Sequence, residues 1–321
     1  MNIALDMMGG DFAPAEAVKG IQLFLSGNYT SSAVEQSVSL FLIGDEKSIA
    51  PLLLKNGIDP SNVTIIHAPE VIGMDEHPTK ALKEKQQSSI SVGFHLLATG
   101  KTDAFISAGN TGAMLVGALY SIKAIEGVLR PAISTVLPKD DGGVNLLLDV
   151  GLNADCKPEH LNQFAILGSM YAAHIYGIKN PRVGLVNLGE EEGKGNILAL
   201  AAYALLKENK DIHFIGNIEG RDLLKDKADV MVCDGFTGNV VLKLAESFYE
   251  ITQAKAIRHD YFERFNFENY GGTPVLGVSK PVIIGHGISH AKAFCNMIIL
   301  AQKMINSDLL DIMKSRFGGA K

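Results

Sequence analysis

The stretch Gly189-Glu190-Glu191-Glu192-Gly193-Lys194-Gly195-Asn196 gathers three adjacent carboxylates, three glycines, a lysine and an asparagine. Adjacent carboxylates repel one another, so the fold gains nothing from the grouping and a ligand is the better explanation. A solvated acidic turn is the plain alternative. Lys194 offers a point charge for a phosphate oxygen or a developing oxyanion. A second such stretch is Ser107-Ala108-Gly109-Asn110-Thr111-Gly112. Here Gly109 and Gly112 permit close backbone approach, and Asn110 and Thr111 carry side-chain donors. A helix starting at this point would direct its positive end at a bound anion. His77, before Pro78, and His286, in Gly285-His286-Gly287-Ile288-Ser289, are candidate acid or base groups, with structural histidines as the alternative. Cys156 adjoins Lys157 but has no evident histidine partner, so it reads as passive.

Other Gly/Asn/Asp clusters occupy residues 6–11, 149–155, 217–222 and 234–239. Singly, each is compatible with helix capping. Together, at the ends of expected strands, they describe a cleft rich in backbone donors, hydroxyls and amides and poor in metal ligands. Such a cleft suits an anion. Several common chemistries are excluded by pattern. The nearest approach to a phosphate-binding P-loop, Gly189 to Gly195, is one residue short and lacks the magnesium-binding Ser or Thr. No G-x-G-x-x-G follows a strand, and H-E-x-x-H, EF-hand and G-x-S-x-G patterns are missing.

These residues need elements to hold them, and strand-like and helix-like segments alternate along the chain. Strands are expected at Ile3–Leu5, Val38–Ile43, Val63–Ile66, Ala104–Ser107, Val183–Leu188, Ile212–Ile215, Val230–Cys233 and Val282–Ile284. A hairpin is expected from Ile133–Leu137 to Val144–Val150 across Asp140-Asp141-Gly142-Gly143. Helices are expected from Pro14, near Glu46–Asn56, as one long helix from Pro78, over Ala113–Ile122, near Pro158–Tyr176 and over Asn196–Lys207. This alternation predicts an α/β fold with an open, mostly parallel sheet, helices on both faces and a second lobe. About nine or ten strands exceed the usual sheet, so the expectation is an elongated sheet shared by two lobes. The whole chain is read as one domain. An aromatic and basic excursion breaks the rhythm at about 248–270, where Lys255, Arg258, His259 and Arg264 interleave with seven Phe and Tyr residues. It suits a dimer contact, a partner surface or a membrane-skimming helix, with a helical core as the alternative.

Bulk composition narrows the class. The 321 residues are 47% hydrophobic and 20% charged, with a formal net charge of -6. That is ordinary globular composition, and its sign argues against a general nucleic-acid binder. Cys156, Cys233 and Cys295 are too scattered for a zinc site or a disulfide framework, which fits a reducing cytoplasm. The opening Met1-Asn2-Ile3-Ala4-Leu5-Asp6 has no basic n-region, so no secretory signal is expected. The uncharged run 104–122 is interrupted at Ser107 to Gly112 and is too short to cross a bilayer.

Taken together, the clusters resemble the phosphate acyltransferase family of bacterial phospholipid synthesis, the PlsX family. The matching stretches are DMMGGDFAP (6–14), SAGNTGA (107–113), DVGLNADCKPEHL (149–161), PRVGLVNLGEEEGKGN (181–196), GNIEGRD (216–222), VCDGFTGNVVLK (232–243) and YGGTPVLGV (270–278). The resemblance implies an isopropylmalate dehydrogenase-like and phosphate acetyltransferase-like fold, with no metal and no cofactor. It implies conversion of fatty acyl-[acyl carrier protein] and phosphate to acyl phosphate, which a membrane acyltransferase uses to acylate glycerol 3-phosphate. It also implies a cytoplasmic homodimer with peripheral membrane contact. On that footing phosphate belongs at Gly109, Asn110, Thr111 and Gly112, with Lys194 nearby. Asn196, Asn153 or Asn239 would orient the carbonyl oxygen, and His77 or Asp234 would manage the phosphate proton. Lys255, Arg258 and Arg264 would dock the acidic carrier protein. Phe12, Leu152, Ile288 and His290 depart from the family's usual residues, which leaves His286 and Ser289 without an assigned role. A coenzyme A-dependent phosphate acetyl- or butyryltransferase, a 3-hydroxyacid dehydrogenase using Asp149 and Asp234 on a metal, and a non-catalytic acyl-carrier or lipid-binding regulator are the competing readings.

Overall fold

The structure is a computed structural model that describes residues 1–27 and 37–319. Among the described residues there are eleven strands. They are β1 (Asn2–Asp6), β2 (Ser39–Gly44), β3 (Thr64–His67), β4 (Ala104–Ser107), β5 (Ala132–Pro138) and β6 (Val144–Leu148). The rest are β7 (Arg182–Val186), β8 (His213–Ile218), β9 (Val230–Val232), β10 (Thr273–Leu276) and β11 (Val282–Ile284). The α-helices are α1 (Ala15–Leu25), α2 (Glu46–Lys55), α3 (Pro78–Glu84), α4 (Ser89–Ala98), α5 (Thr111–Gly117) and α6 (Pro158–Tyr176). After them come α7 (Ile197–Glu208), α8 (Gly235–Ala254), α9 (Asp260–Glu263), α10 (Ala291–Asn306) and α11 (Leu309–Gly318).

The chain divides into two compact units. The first comprises Met1–Lys123 and Glu268–Leu310, and the second Ala124–Phe267 and Asp311–Lys321. In the first, the strand order is β3-β2-β1-β4-β11-β10. All are parallel except β10, which runs antiparallel to β11. Ile3, Leu5, Leu42, Phe105 and Ile106 are fully buried, as expected of short apolar strands covered on both faces. In the second unit the order is β5-β6-β9-β7-β8, with β5 antiparallel to β6 and the others parallel. The β5–β6 pair is the hairpin expected at Asp140–Gly143.

Three expectations change. The long helix from Pro78 is two helices: Ser88 Oγ accepts from the Ser91 N–H at 3.3 Å and starts α4 afresh. The expected helix over Ala113–Ile122 begins at Thr111 as α5 and widens into a π-helical turn over Ala118–Ile122. Strand β10 has no counterpart in the sequence reading, because Pro274 and the flanking glycines disguise a four-residue strand. Parallel order places the ligand-capable loops of each unit at the carboxyl ends of its strands, where open α/β sheets bind ligands. Among the described residues no helix is long and apolar enough to cross a membrane.

Candidate active site

In the first unit the neighbouring strands β1, β4 and β11 deliver three loops to one edge, and they are sewn together by main-chain contacts. The Gly285 N–H donates to the Ser107 carbonyl and the Asp11 N–H to the Gly287 carbonyl, both at 2.8 Å. The fully buried Asp6 is the hub. Its Oδ2 accepts from Ser107 Oγ at 2.6 Å and its Oδ1 from the Met8 N–H at 2.9 Å, while Ser107 Oγ accepts from the Gly109 N–H at 2.9 Å. Burial pushes the Asp6 carboxyl above its ordinary range, against the opposing pull of these hydrogen bonds. The backbones meet so closely that a Cβ on Gly9 would lie 2.6 Å from the Gly109 nitrogen. Only glycine fits there.

Asn110 does two structural jobs. Its Oδ1 accepts from the Ala113 N–H at 2.9 Å and caps α5. Its Nδ2 donates to the carbonyls of Gly73, Met74 and Glu76 at 2.9, 3.3 and 3.0 Å. The Asn110 side chain, expected to offer donors to phosphate, is therefore committed to the protein. Gly112 also has a packing reason, since a Cβ there would lie 2.3 Å from Pro78 Cγ. What the loop can offer an anion is the exposed Thr111 and the first-turn N–H groups of Thr111 and Gly112, which the cap does not use. His77 is exposed and precedes α3, whose Pro78 packs on Gly112, so it is carried to the same loop.

In the second unit, Asp149 follows β6 and is fully buried. Its Oδ1 accepts from Ile133 and Leu152 N–H groups at 3.0 and 3.4 Å, and its Oδ2 from the Asn153 N–H at 2.6 Å. Burial pushes this carboxyl upward too, and the N–H donors oppose it. Asn153 Nδ2 donates to Asp149 Oδ2 at 3.0 Å and to the Pro131 carbonyl at 2.8 Å, so Asn153 cannot donate to a substrate carbonyl. Asp234 caps α8, accepting from the Thr237 N–H at 2.8 Å and Oγ1 at 3.0 Å, and so is spent on helix initiation. Asp149 and Asp234 are thus organised by N–H and O–H donors rather than set as a pair of metal ligands, which removes support from the dehydrogenase reading. Helix α8 lies hard against this loop: a Cβ on Gly238 would fall 1.8 Å from the Asp149 carbonyl oxygen.

The loop after β7 is built differently. Asn187 Nδ2 donates to the Lys194 carbonyl at 3.0 Å and to Asn217 Oδ1 at 3.1 Å, and Asn217 Nδ2 donates to the Glu191 carbonyl at 2.9 Å. Sequence reasoning missed Asn187 and singled out Asn217 only within its cluster; two asparagines ending neighbouring parallel strands were the available signal. The acidic triplet is less isolated than its sequence implies, because Lys227 binds Glu190 at 2.7 Å and Lys207 binds Glu192 at 2.8 Å. Glu190, Glu219 and Asp222 cluster, but Lys227 also reaches Asp222 at 2.9 Å and Arg221 pairs with Glu219, so cationic side chains balance the group. Lys194 is exposed and, among the described residues, has no carboxylate partner. Asn196 caps α7, its Oδ1 accepting from the Ala199 N–H at 2.8 Å, which leaves its amide hydrogens to the outside. Asn239 is exposed on the first turns of α8. Of the three asparagines considered for the carbonyl oxygen, Asn196 and Asn239 keep donors and Asn153 does not. Cys156 is no nucleophile: burial, reinforced by the Asp149 charge, pushes its thiol up to about 11.

As far as Phe267 the 248–270 excursion belongs to the second unit and packs there on itself and on the β5–β6 hairpin. Phe265 is buried against Phe248 and Tyr261, with ring centroids 5.5 and 5.3 Å apart. The Arg264 guanidinium donates to the Lys139 carbonyl at 2.6 Å and to the Gly143 carbonyl, so it braces the β5–β6 hairpin and is not a free docking charge. Lys255 and Arg258 remain exposed.

Each α/β unit carries glycine- and donor-rich loops at its strand ends, and the comparisons give the class. The chain matches the family described as "Fatty acid synthesis protein" over residues 1–311. It is 42% identical over 328 residues to a phosphate acyltransferase of Dictyoglomus turgidum, covering 96% of this chain and 95% of that protein. It is 47% identical over 322 residues to a phosphate acyltransferase of Endomicrobium trichonymphae, covering 93% and 92%. Its fold is similar to that of a phosphotransacetylase from Streptococcus pyogenes, with a TM-score of 0.65 at 19% identity over 95% of this chain and 94% of the other. The chain belongs to the phosphate acyltransferase family, and it is an acyltransferase.

Proposed function

We propose that the chain converts fatty acyl-[acyl carrier protein] and inorganic phosphate to acyl phosphate and free carrier protein, and so supplies the acyl donor for glycerol 3-phosphate acylation. The observation that carries this reading is Lys194: an exposed ammonium that has no carboxylate partner among the described residues, on a loop where Glu190 and Glu192 are matched to other lysines. An ionised phosphate oxygen attacks the thioester carbonyl carbon. The carbonyl π electrons move to oxygen, and the tetrahedral oxyanion collapses with cleavage of the C–S bond. The thiolate leaves and takes a proton from water, which a thiol of pKa about 8.5 allows without a strong general acid. Within the second unit, Lys194 and the outward amide of Asn196 suit an oxyanion; within the first, the first-turn N–H groups of Thr111 and Gly112 suit an anion. His77 is the better-suited proton carrier, because both Asp234 oxygens are engaged with Thr237.

The acidic carrier protein would meet Lys255 and Arg258. Helix α8 leaves Phe236, Val240, Leu244 and Ile251 exposed on one face, which supports self-association as a homodimer through that helix. Peripheral membrane contact and a functional link to a membrane acyltransferase belong to the same reading. The test is hydroxylamine trapping of acyl phosphate from palmitoyl-carrier protein plus phosphate, with palmitoyl-coenzyme A in parallel. Product mainly from the carrier thioester supports the reading. Product only from coenzyme A thioesters would move the chain to the phosphotransacetylase type of substrate.

A further inference from the structure

Leu188, Ile197 and Leu200 are 71%, 89% and 42% exposed, and they border the Lys194 loop. That loop closes on itself. Besides the Asn187 bond to the Lys194 carbonyl, a Cβ on Gly189 would sit only 3.1 Å from Lys194 Cγ. Leu188 and Ile197 therefore leave the two ends of one closed loop, and Lys194 is carried between them. Leu200, Ala201 and Ala204 continue the exposed face of α7 beyond Ile197. Over roughly 10 Å of helix this face carries no polar side chain, and charge resumes only at Lys207 and Glu208. Single exposed apolar residues are ordinary, whereas a contiguous strip beside a site marks binding.

We infer that this strip seats the acyl chain of the substrate, with the tail along α7 and the reacting head at Lys194. The inference rests on the acyl-transfer reading above and adds the place where chain length is read. Charge complementarity selects the occupant. A cation that has no carboxylate partner among the described residues, at one end of an apolar strip, fits an amphiphile with an electron-rich head and a hydrocarbon tail. An acidic protein surface fits poorly, because Glu190, Glu191 and Glu192 line the same loop. A second copy of the chain is better matched to the longer exposed face of α8.

The test uses the full chain and carrier-protein thioesters that differ only in the acyl group, palmitoyl against butyryl. In Ile197→Ser and Leu200→Ser the ratio of kcat/KM for palmitoyl over butyryl should fall roughly tenfold, and in Ile197→Met it should stay within about twofold. An unchanged ratio in the serine variants, whatever their absolute rates, overturns the proposal. So does a loss of oligomer mass in those variants by sedimentation, which would mean that the strip faces another protomer. Failure of the parent chain to form acyl phosphate from any thioester is a separate result, overturning the acyl-transfer reading and this inference with it.

Discussion

The β4 loop of the first unit and the β7 loop of the second both follow parallel strands and both combine glycine with polar residues, yet they are held by opposite means. Around Ser107–Gly112 the polar groups other than the exposed Thr111 point inward. Asp6 is fully buried and has no cationic partner among the described residues, Ser107 bridges it to the Gly109 N–H, and the Asn110 side-chain amide donates only to loop carbonyls. Around Gly189–Asn196 the polar groups point outward. The backbone is fixed from behind by Asn187 and Asn217, Glu190 and Glu192 are matched to lysines at the surface, and Lys194 stays available. The first loop is a preformed frame that offers main-chain donors, and the second is a presented side chain. Frame residues should therefore trade mainly in stability, and presented residues in rate.

The largest expected effect tests the presented side. Lys194→Met should lower kcat for acyl phosphate formation by roughly a hundredfold to a thousandfold, the usual range for a lost oxyanion-stabilising group. Its thermal midpoint should stay within about 2 °C of the parent, because an exposed side chain with no ion pair among the described residues contributes little to folding. A rate close to that of the parent would remove Lys194 from the mechanism.

The frame makes the converse prediction. Ser107→Ala leaves the buried Asp6 Oδ2 and the Gly109 N–H without their shared partner, at a cost of about 1–3 kcal/mol in stability. Denaturant unfolding would measure it. A change below about 0.5 kcal/mol would show that the bridge from Asp6 to Gly109 does not hold the loop. A smaller effect separates the two loops again. Asn187 and Asn217 act on one backbone segment, so Asn187→Ala and Asn217→Ala should be non-additive, with a coupling of about 0.5–1.5 kcal/mol in a double-mutant cycle. Additive losses would mean that each asparagine serves a different part of the loop.

The same contrast explains what could be read from the chain alone. Element types and the carboxyl-end position of the clusters were legible, because apolar strands, Pro at helix starts and capping residues are local signals. The Ser107–Gly112 and Gly189–Asn196 stretches were recognisable as special for the same reason. The division of labour inside them was not. Whether Asn110 is a ligand donor or a cap depends on Gly73, Met74 and Glu76, which lie more than thirty residues away. Whether the acidic triplet is bare depends on Lys207 and Lys227, which are set beside it only by the packing of α7 and the approach of the chain to β9. Gly112 resembled a phosphate-approach glycine because nothing local announces that Pro78 presses on it. Long-range contacts decide which polar residue remains free, and spacing does not report them.

Acidity gives the finest division between the two regions. Asp6 has a carboxyl pushed up by burial, so the folded first unit holds this proton at pH values where the unfolded chain has lost it. Stability attributable to Asp6 must therefore rise as pH falls through its folded pKa and level off near the unfolded value of about 3.9. Asp222, behind the β7 loop, has the opposite sign. Burial pushes it up, but Lys227 and the Glu219 N–H outweigh that and hold it below its ordinary range. Its contribution is complete above about pH 4 and is lost as pH falls further. Thermal midpoints measured from about pH 7 down to about pH 3 should show both trends. Asp6→Asn should flatten the rise above about pH 4, and Lys227→Met should weaken the fall below it. If Asp6→Asn left the upper part of the profile unchanged, the frame would not be holding an uncompensated carboxyl, and the distinction between an inward-facing and an outward-facing loop would lose its electrostatic half.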